Sequence, residues 1–196
     1  MPAPVHRDEA PRLFLVVLGG RAAQCHVELH DVRWVVGTSI DATIPELKRQ
    51  WFGLRRGLHI DSYVELRCVD GHTIHLLPRG CSADETTSTA KPEPNAGQKL
   101  WFVNMGGYDP RSLLELHQCG CLVAPSAQAA KSRAKRRWLR DSAQPHKDDL
   151  HAVDNVGGVD NCLPIDQLQG WRIHLEPTPG QTSTDFMPDW FGYRPI

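Results

Sequence analysis

The sequence predicts an α+β protein made of two homologous β-β-α-β-β units. Residues 13–51 and 100–138 align at a constant offset of 87, and 13 of the 39 aligned positions are identical. Ordinary composition would give roughly 2 or 3 identities by chance. Both copies also repeat the same succession of apolar runs, turns and one helical pattern. We therefore predict two copies of one unit related by a pseudo-twofold axis, with strands backed by one helix per unit.

The first half of each unit is predicted as two strands. Residues 13–18 form a continuous apolar run ended by Gly19-Gly20, which is typical of a buried strand followed by a tight turn. A phosphate-binding loop is the weaker interpretation of the two glycines, because no GxGxxG or GxxxxGK[ST] pattern surrounds them. Val32, Trp34 and Val36 then lie two residues apart, which is the period of a second strand.

The second half of each unit is predicted as a helix followed by a hairpin. Ser39 precedes an amphipathic pattern with apolar residues at 44, 47 and 51, and Pro45 is assigned to the first helical turn, where proline is tolerated. Asp70-Gly71 lies between two β-type runs within 63–77, which favours a hairpin.

These patterns divide the chain into four parts. The first unit is predicted over 13–78 and the second over 99–176, with a polar linker at 79–98. The second hairpin matches the first only at an offset of 99, which indicates about twelve inserted residues near 156–167. The tail, 177–196, combines prolines with aromatic residues too apolar to leave in water, so we expect it to lie across the protein body rather than in a partner's groove.

The composition is that of an ordinary globular protein. The chain has 196 residues, 40% of them hydrophobic, and a formal net charge of −1. It has no apolar run of membrane-spanning length, and the six cysteines form no CxxC pair, so they are expected to be small buried residues. We expect a cytoplasmic protein without a membrane partner, and the composition does not indicate which cofactor, if any, the protein uses.

Two polar pairs recur in both units and are the candidate site residues. Spacing by two residues on an extended segment turns both side chains of a pair to the same face. In the first unit the candidates are Glu28, His30, Asp31, His59 and Asp61, and their second-unit equivalents are Glu115, His117, His146 and Asp148, with Gln118 in place of Asp31. Such a set can knit a fold together, bind a small ligand, perform acid–base chemistry or hold a divalent metal. The structural role is favoured, and no HExxH or CxxC spacing supports a metal.

A basic face is predicted on the second helix. Its residues are Lys131, Arg133, Lys135, Arg136, Arg137 and Arg140. A face of one charge sign can bind RNA, DNA or an acidic protein. The near-neutral chain makes a solvated face the better interpretation, and nucleic acid is not an expected partner.

The segments LFLVVLGG, VELHDVRWVVG, LHIDSYVEL, DGHTIHL and KLWFVNMGGYDP together resemble a bacterial family known as domain of unknown function 1543. Its members are similar in carrying one or two copies of this unit, and the resemblance covers nearly everything from Leu13 to Leu175. The family's EHD-like stretch corresponds to Glu28, His30 and Asp31. The resemblance implies no established activity, substrate or cofactor.

Two classes of function follow. The first is a non-catalytic binding or structural protein that recognises a small molecule or a protein at a surface between the units. The second is an enzyme that uses the Glu/His/Asp residues for acid–base or metal-assisted chemistry. Nucleic-acid binding through residues 131–140 is a weaker third hypothesis.

Overall fold

The computed structural model describes residues 10–80, 97–138, 144–145, 162–180 and 186–196. The chain forms two compact units that do not coincide with the two sequence repeats. The first unit contains the described residues of Met1–Arg67, Leu168–Trp171 and Asp185–Ile196. The second contains those of Cys68–Gln167 and Arg172–Thr184. Each compact unit therefore includes chain from both repeats.

Two helices and twelve strands are present in the described residues. In chain order they are β1 (Arg12–Gly20), β2 (Leu29–Gly37), α1 (Ile40–Gln50), β3 (His59–Glu65), β4 (Cys68–Val69), β5 (His72–Pro78), β6 (Lys99–Tyr108), β7 (Leu116–Ala124), α2 (Ala127–Arg137), β8 (Gln144–Pro145), β9 (Cys162–Pro164), β10 (Gln167–Leu168), β11 (Trp171–Pro177) and β12 (Trp190–Pro195). The described strand pairs are antiparallel, which confirms the α+β class. No helix in these ranges is long and apolar enough to cross a membrane.

The first compact unit is built on one sheet with the strand order β12-β3-β1-β2. Strand β1 pairs with β2 without a break, from Arg12 opposite Gly37 to Gly20 opposite Leu29. Its alternate residues Phe14, Val16 and Leu18 are buried in one core with residues of α1. The opposite face of β1 therefore carries the residues between them, ending at Gly19.

Helix α1 begins after Ser39, whose hydroxyl accepts a hydrogen bond from the Ala42 backbone N–H. The assignment of Pro45 to the first turn is wrong, because the helix starts at Ile40 and Pro45 lies inside it. A proline at this position cannot donate to the carbonyl of Asp41. Asp41 and Pro45 are both exposed, so water can satisfy that carbonyl and the helix continues.

The second repeat reproduces this arrangement at the offset of 87. Leu100 on β6 lies opposite Val123 on β7, as Leu13 lies opposite Val36. Ser126 caps α2 as Ser39 caps α1. The free edge of β6 pairs with two short strands, β8 and β9, where β1 pairs with β3.

Each repeat also carries a hairpin with a two-residue turn. Asp70 and Gly71 have φ of 49° and 73°, and Gln169 and Gly170 have φ of 51° and 83°. Two successive positive values are characteristic of the type I′ hairpin turn, so the predicted Asp-Gly hairpin is confirmed. The two hairpins form one sheet in the order β10-β11-β5-β4.

The predicted hairpin over 63–77 includes the end of a separate strand. Strand β3 ends at Glu65 and pairs with β1, while the hairpin starts only at Cys68. The first repeat thus has one strand more than the predicted order. A period of two residues identifies a strand but does not tell which strand it pairs with.

The strand register also locates the insertion in the second repeat. Ile165 donates its N–H to the Leu100 carbonyl, as Leu66 donates to Leu13. Residues from β9 onward therefore already follow the offset of 99. The inserted residues lie before Cys162, and the predicted span of 156–167 extends too far because it includes β9. Residues 146–161 are outside the described ranges.

The end of the tail is an edge strand of the first unit. Strand β12 pairs antiparallel with β3, with Trp190 opposite Tyr63 and Pro195 opposite His59. The Asp189 carboxylate accepts a 2.6 Å hydrogen bond from the Glu65 N–H. The expectation that the tail lies across the protein body is therefore confirmed for these residues.

Candidate functional site

Four polar side chains meet on the face of the first sheet that is opposite α1. Gly19 pairs with His30 on β2 and with His59 on β3, so the three positions form a row across the sheet. His59 Nε2 lies 3.1 Å from Asp61 Oδ1 and 3.6 Å from Glu28 Oε1. His30 Nε2 lies 3.4 Å from Asp61 Oδ2. We call Glu28, His30, His59 and Asp61 the His–carboxylate cluster.

Burial changes steeply across the cluster. The side chain of His59 is 2% exposed and that of Asp61 is 29% exposed. Glu28 and His30 are more open, with 43% and 56% of their side chains exposed. The cluster therefore has a buried imidazole at its base and an open side through which a solute can approach.

A backbone carbonyl orients the ring of His59. Its Nδ1 lies 2.8 Å from the Gly57 oxygen, and because a carbonyl only accepts, Nδ1 must carry a proton. Nε2 then faces Asp61 and Glu28. A proton on Nε2 or on a carboxyl group would turn either contact into a hydrogen bond, since an unprotonated nitrogen and a carboxylate are both acceptors. His59 and Asp61, at 3.1 Å, are therefore placed to exchange a proton.

Gly19 provides the space that the cluster occupies. A Cβ atom at this position would lie 2.3 Å from His59 Nε2 and 2.8 Å from Asp61 Oδ2. Gly20, on the opposite face, would place a Cβ 2.8 Å from the indole of Trp51. Both glycines are paired residues of β1, so the tight-turn interpretation is wrong. The Gly-Gly motif is needed for side-chain clearance on both faces of the strand.

Asp61 lies at an irregularity in β3. The pairing with β1 shifts register between Val17 and Leu18, which leaves Asp61 without a partner in the ladder. Its Oδ2 atom is buried and has no hydrogen-bond partner in the described part of the protein, although His30 Nε2 is at ion-pair distance. Bulges are common beside functional sites, and a buried carboxylate oxygen without a donor is unfavourable. This oxygen is the unsatisfied acceptor of the cluster.

The tail adds an aromatic residue that sequence analysis missed. The ring of Tyr193 lies against that of His59, with 4.3 Å between centroids and 42° between planes. Tyr193 itself is 66% exposed. The sequence showed only that the tail is aromatic, and the pairing of β12 with β3, which brings Tyr193 to His59, has no local sequence pattern.

Asp31 is not part of the cluster. It follows His30 on β2, so its side chain lies on the other face of the sheet. There it forms an ion pair with Arg33 and accepts a hydrogen bond from the Val32 N–H. Four of the five first-repeat candidates are thus brought together, and the fifth, Asp31, forms a structural ion pair on the other face.

The second repeat keeps part of the arrangement. Gly106 lies opposite His117, as Gly19 lies opposite His30. His117 Nε2 is 3.5 Å from Glu115 Oε2, and its side chain is 56% exposed, as is that of His30. His146 and Asp148 are outside the described residues. The described part of this site is therefore one Glu/His pair above a glycine.

Comparison with known proteins identifies the family. The family model Domain of Unknown Function (DUF1543) matches residues 25–76 and 112–163, which together make up more than half of the chain. The chain therefore belongs to the DUF1543 family. The two matches also confirm the tandem duplication. A solved structure of protein Il1583 from Idiomarina loihiensis is 32% identical, with a TM-score of 0.63, and the match covers 95% of this chain and 97% of that one. A search of the curated proteins found no match.

The matches to the DUF1543 model include every residue of the cluster in the first repeat. Metal binding finds no support from the geometry of the described residues. Among them no group of three or more His, Cys, Asp or Glu side chains is arranged to hold a metal ion.

The basic helix of this DUF1543 protein uses two of its cations internally. Arg137 Nη1 lies 2.5 Å from Asp70 Oδ1, and Arg133 donates to the Val123 carbonyl. The Asp70 side chain is only 6% exposed, so this pairing is largely buried. Lys135 and Arg136 are exposed, whereas Arg140 lies outside the described residues. The face available to an acidic partner is therefore smaller than the sequence suggested.

Proposed function

We propose that this protein binds a small molecule at the His–carboxylate cluster and that the ligand donates a hydrogen bond to Asp61. The buried, unpartnered Oδ2 atom of Asp61 carries this proposal, because it lies 3.4 Å from Nε2 of the exposed His30 side chain. A ligand N–H or O–H group would supply the missing donor. His59 forms the rigid floor of the site, since the Gly57 carbonyl holds its ring in place.

A cytoplasmic location belongs to the same proposal. Three of the described cysteines, Cys25, Cys119 and Cys121, are free thiols. Free thiols are typical of proteins in a reducing compartment. A small molecule from that compartment is the occupant that the proposal requires.

The test is a screen of small polar molecules by ligand-observed NMR, with mixtures of alcohols, amides, amines and carboxylic acids. Hits are expected on the wild-type protein and are expected to be lost in the His30→Ala and Asp61→Asn variants. His117→Ala is the matched control, because its imidazole has the same exposure and the same place opposite a glycine. A screen without hits, or hits that survive His30→Ala, would contradict the proposal.

Acid–base catalysis is the second candidate function, and the close contact between His59 and Asp61 favours it. The 3.1 Å contact between them, with Nδ1 held by Gly57, is an arrangement that can donate and accept a proton. Asp61 would be the group that meets a substrate, because His59 is almost fully buried. Hydrolysis of a panel of nitrophenyl esters and phosphates that is lost in Asp61→Asn would support catalysis, and turnover that is unchanged in that variant would contradict it.

A further inference from the structure

The charge of the cluster narrows the class of ligand. Glu28 and Asp61 form ion pairs only with imidazoles in the described part of the chain. Other carboxylates of the first unit are paired with guanidinium groups instead. These pairs are Asp31 with Arg33, Asp41 with Arg194, Glu46 with Arg49 and Glu65 with Arg67. A guanidinium keeps its charge at every physiological pH, whereas an imidazole ordinarily loses its proton near neutrality.

The two carboxylates of the cluster therefore lack a permanent positive partner. A neutral imidazole can donate a hydrogen bond but carries no charge, so it does not compensate a carboxylate. Asp61 carries one of the two negative charges, and its buried Oδ2 atom has no hydrogen-bond donor in the described residues. A ligand with a positively charged hydrogen-bond donor would supply the missing hydrogen bond to Oδ2 and also compensate the negative charge of the carboxylate.

An exposed aromatic ring packs against His59 of the cluster. One side of Tyr193 packs on His59, while 66% of the residue remains in contact with solvent. The face of an aromatic ring attracts cations, and its carbon surface packs against an apolar group. Tyr193 is held in place because Arg194 forms an ion pair with Asp41 and Ile196 donates to the Leu58 carbonyl.

We propose that the ligand of the His–carboxylate cluster is a protonated amine, bound by Asp61 and Glu28 through its ammonium group and covered by Tyr193. This inference rests on the proposed function and adds to it the charge of the ligand. The ammonium donates to Asp61 Oδ2, and Glu28 lies at the exposed side of the same site. No bond is made or broken in the complex.

The test compares three probes that share one apolar body and differ in the head group: benzylamine, benzyl alcohol and benzoate. The full chain, labelled with carbon-13 at histidine Cε1, is titrated at constant ionic strength while the signals of His30 and His59 are followed. Benzylamine is expected to shift both signals. Benzyl alcohol should bind about tenfold more weakly, and benzoate should bind more weakly still.

Three variants test the contacts. Asp61→Asn should abolish benzylamine binding, and Glu28→Gln, at a more exposed position, should weaken it even if Asp61→Asn does not fold. Asp31→Asn is the control, because Asp31 lies on the opposite face. Tyr193→Leu should weaken benzylamine binding about threefold and leave benzyl alcohol binding nearly unchanged, because only the cation loses its interaction with the ring.

The outcomes separate the two proposals. If benzyl alcohol binds as tightly as benzylamine at the same histidines, the ammonium inference is overturned and the proposed binding function stands. Tighter binding of benzoate would overturn it as well. If none of the three probes shifts His30 or His59, the inference fails, and the wider NMR screen decides whether the binding function fails with it.

Discussion

Gly19 illustrates how a single absent side chain makes room for a polar site. Its neighbours across the sheet, His30 and His59, both reach the Asp61 carboxylate, which occupies the space that a Cβ of residue 19 would fill. In Gly19→Ala the new Cβ would meet His59 Nε2 at 2.3 Å, and His59 is buried and held by Gly57. We expect the free energy of unfolding, measured in urea, to fall by about 2 kcal/mol, since overpacking is costly where a neighbour cannot move.

Gly106→Ala is the control for this prediction in the second repeat. There a Cβ would lie 2.1 Å from Glu115 Oε1, at the end of a flexible side chain that is 31% exposed. That carboxylate can rotate away, so the loss should stay below about 1 kcal/mol. Equal losses of unfolding free energy in Gly19→Ala and Gly106→Ala would show that His59 can move away as easily as Glu115.

Cys121 gives a prediction about thiol chemistry. Its side chain is fully buried in β7, and burial raises the pKa of the thiol, with smaller contributions from Cys119 and Asp70. The thiolate is the reactive form, so a raised pKa lowers reactivity. Peptide mapping after iodoacetamide treatment at pH 8 should find Cys121 modified only in denaturant, whereas the partly exposed Cys25 should react in the native protein. Similar native rates at both cysteines would contradict this.

At the scale of elements, β12 has one side chain that anchors it and one that does not. Trp190 stacks on Tyr63, with 6.1 Å between ring centroids, and packs against the core shared with α1. Phe191, the next residue, is 77% exposed. Trp190→Ala should lower the free energy of unfolding by about 2 kcal/mol, while Phe191→Ala should change it by less than about 0.5 kcal/mol. A larger effect for Phe191 in urea unfolding would mean that the strand docks differently.

Elements with a local pattern could be predicted from the sequence. The offset of 87 recurs in the register of β1 with β2 and of β6 with β7, and Asp70-Gly71 forms the expected hairpin turn. The two-residue spacing predicted that His59 and Asp61 share a face, but the approach of Asp61 to His30 depends on the pairing of β3 with β1. Pairings between distant segments could not be predicted. The pairing of β3 with β1 and the pairing of β12 with β3 both depend on tertiary contacts. For that reason Tyr193 was missed.

At the scale of the whole molecule, the tip of each hairpin contacts a strand of the other sequence repeat. Asp70, from the first repeat, accepts a hydrogen bond from the Val123 N–H and pairs with Arg137. Gln169, at the matching position of the second repeat, accepts from the Val36 N–H. The two side chains accept hydrogen bonds from backbone N–H groups at equivalent positions of the two repeats, Val36 and Val123, which are 87 residues apart. The duplicated sequence therefore builds compact units that each contain chain from both repeats, and we expect each unit to depend on both.

Separate expression of the two repeats tests this dependence. Residues 1–80 contain β1, β2, α1 and β3 but lack β12, so the edge of β3 and the apolar surface under Trp190 would be open to water. Val36 would also lose the side-chain oxygen of Gln169. We expect residues 1–80 alone to give a poorly dispersed ¹H–¹⁵N NMR spectrum, and the dispersion of the intact protein to return on mixing with residues 97–196. If residues 1–80 alone fold cooperatively, then neither the hairpin tip at Gln169 nor strand β12 is needed for the stability of this fragment.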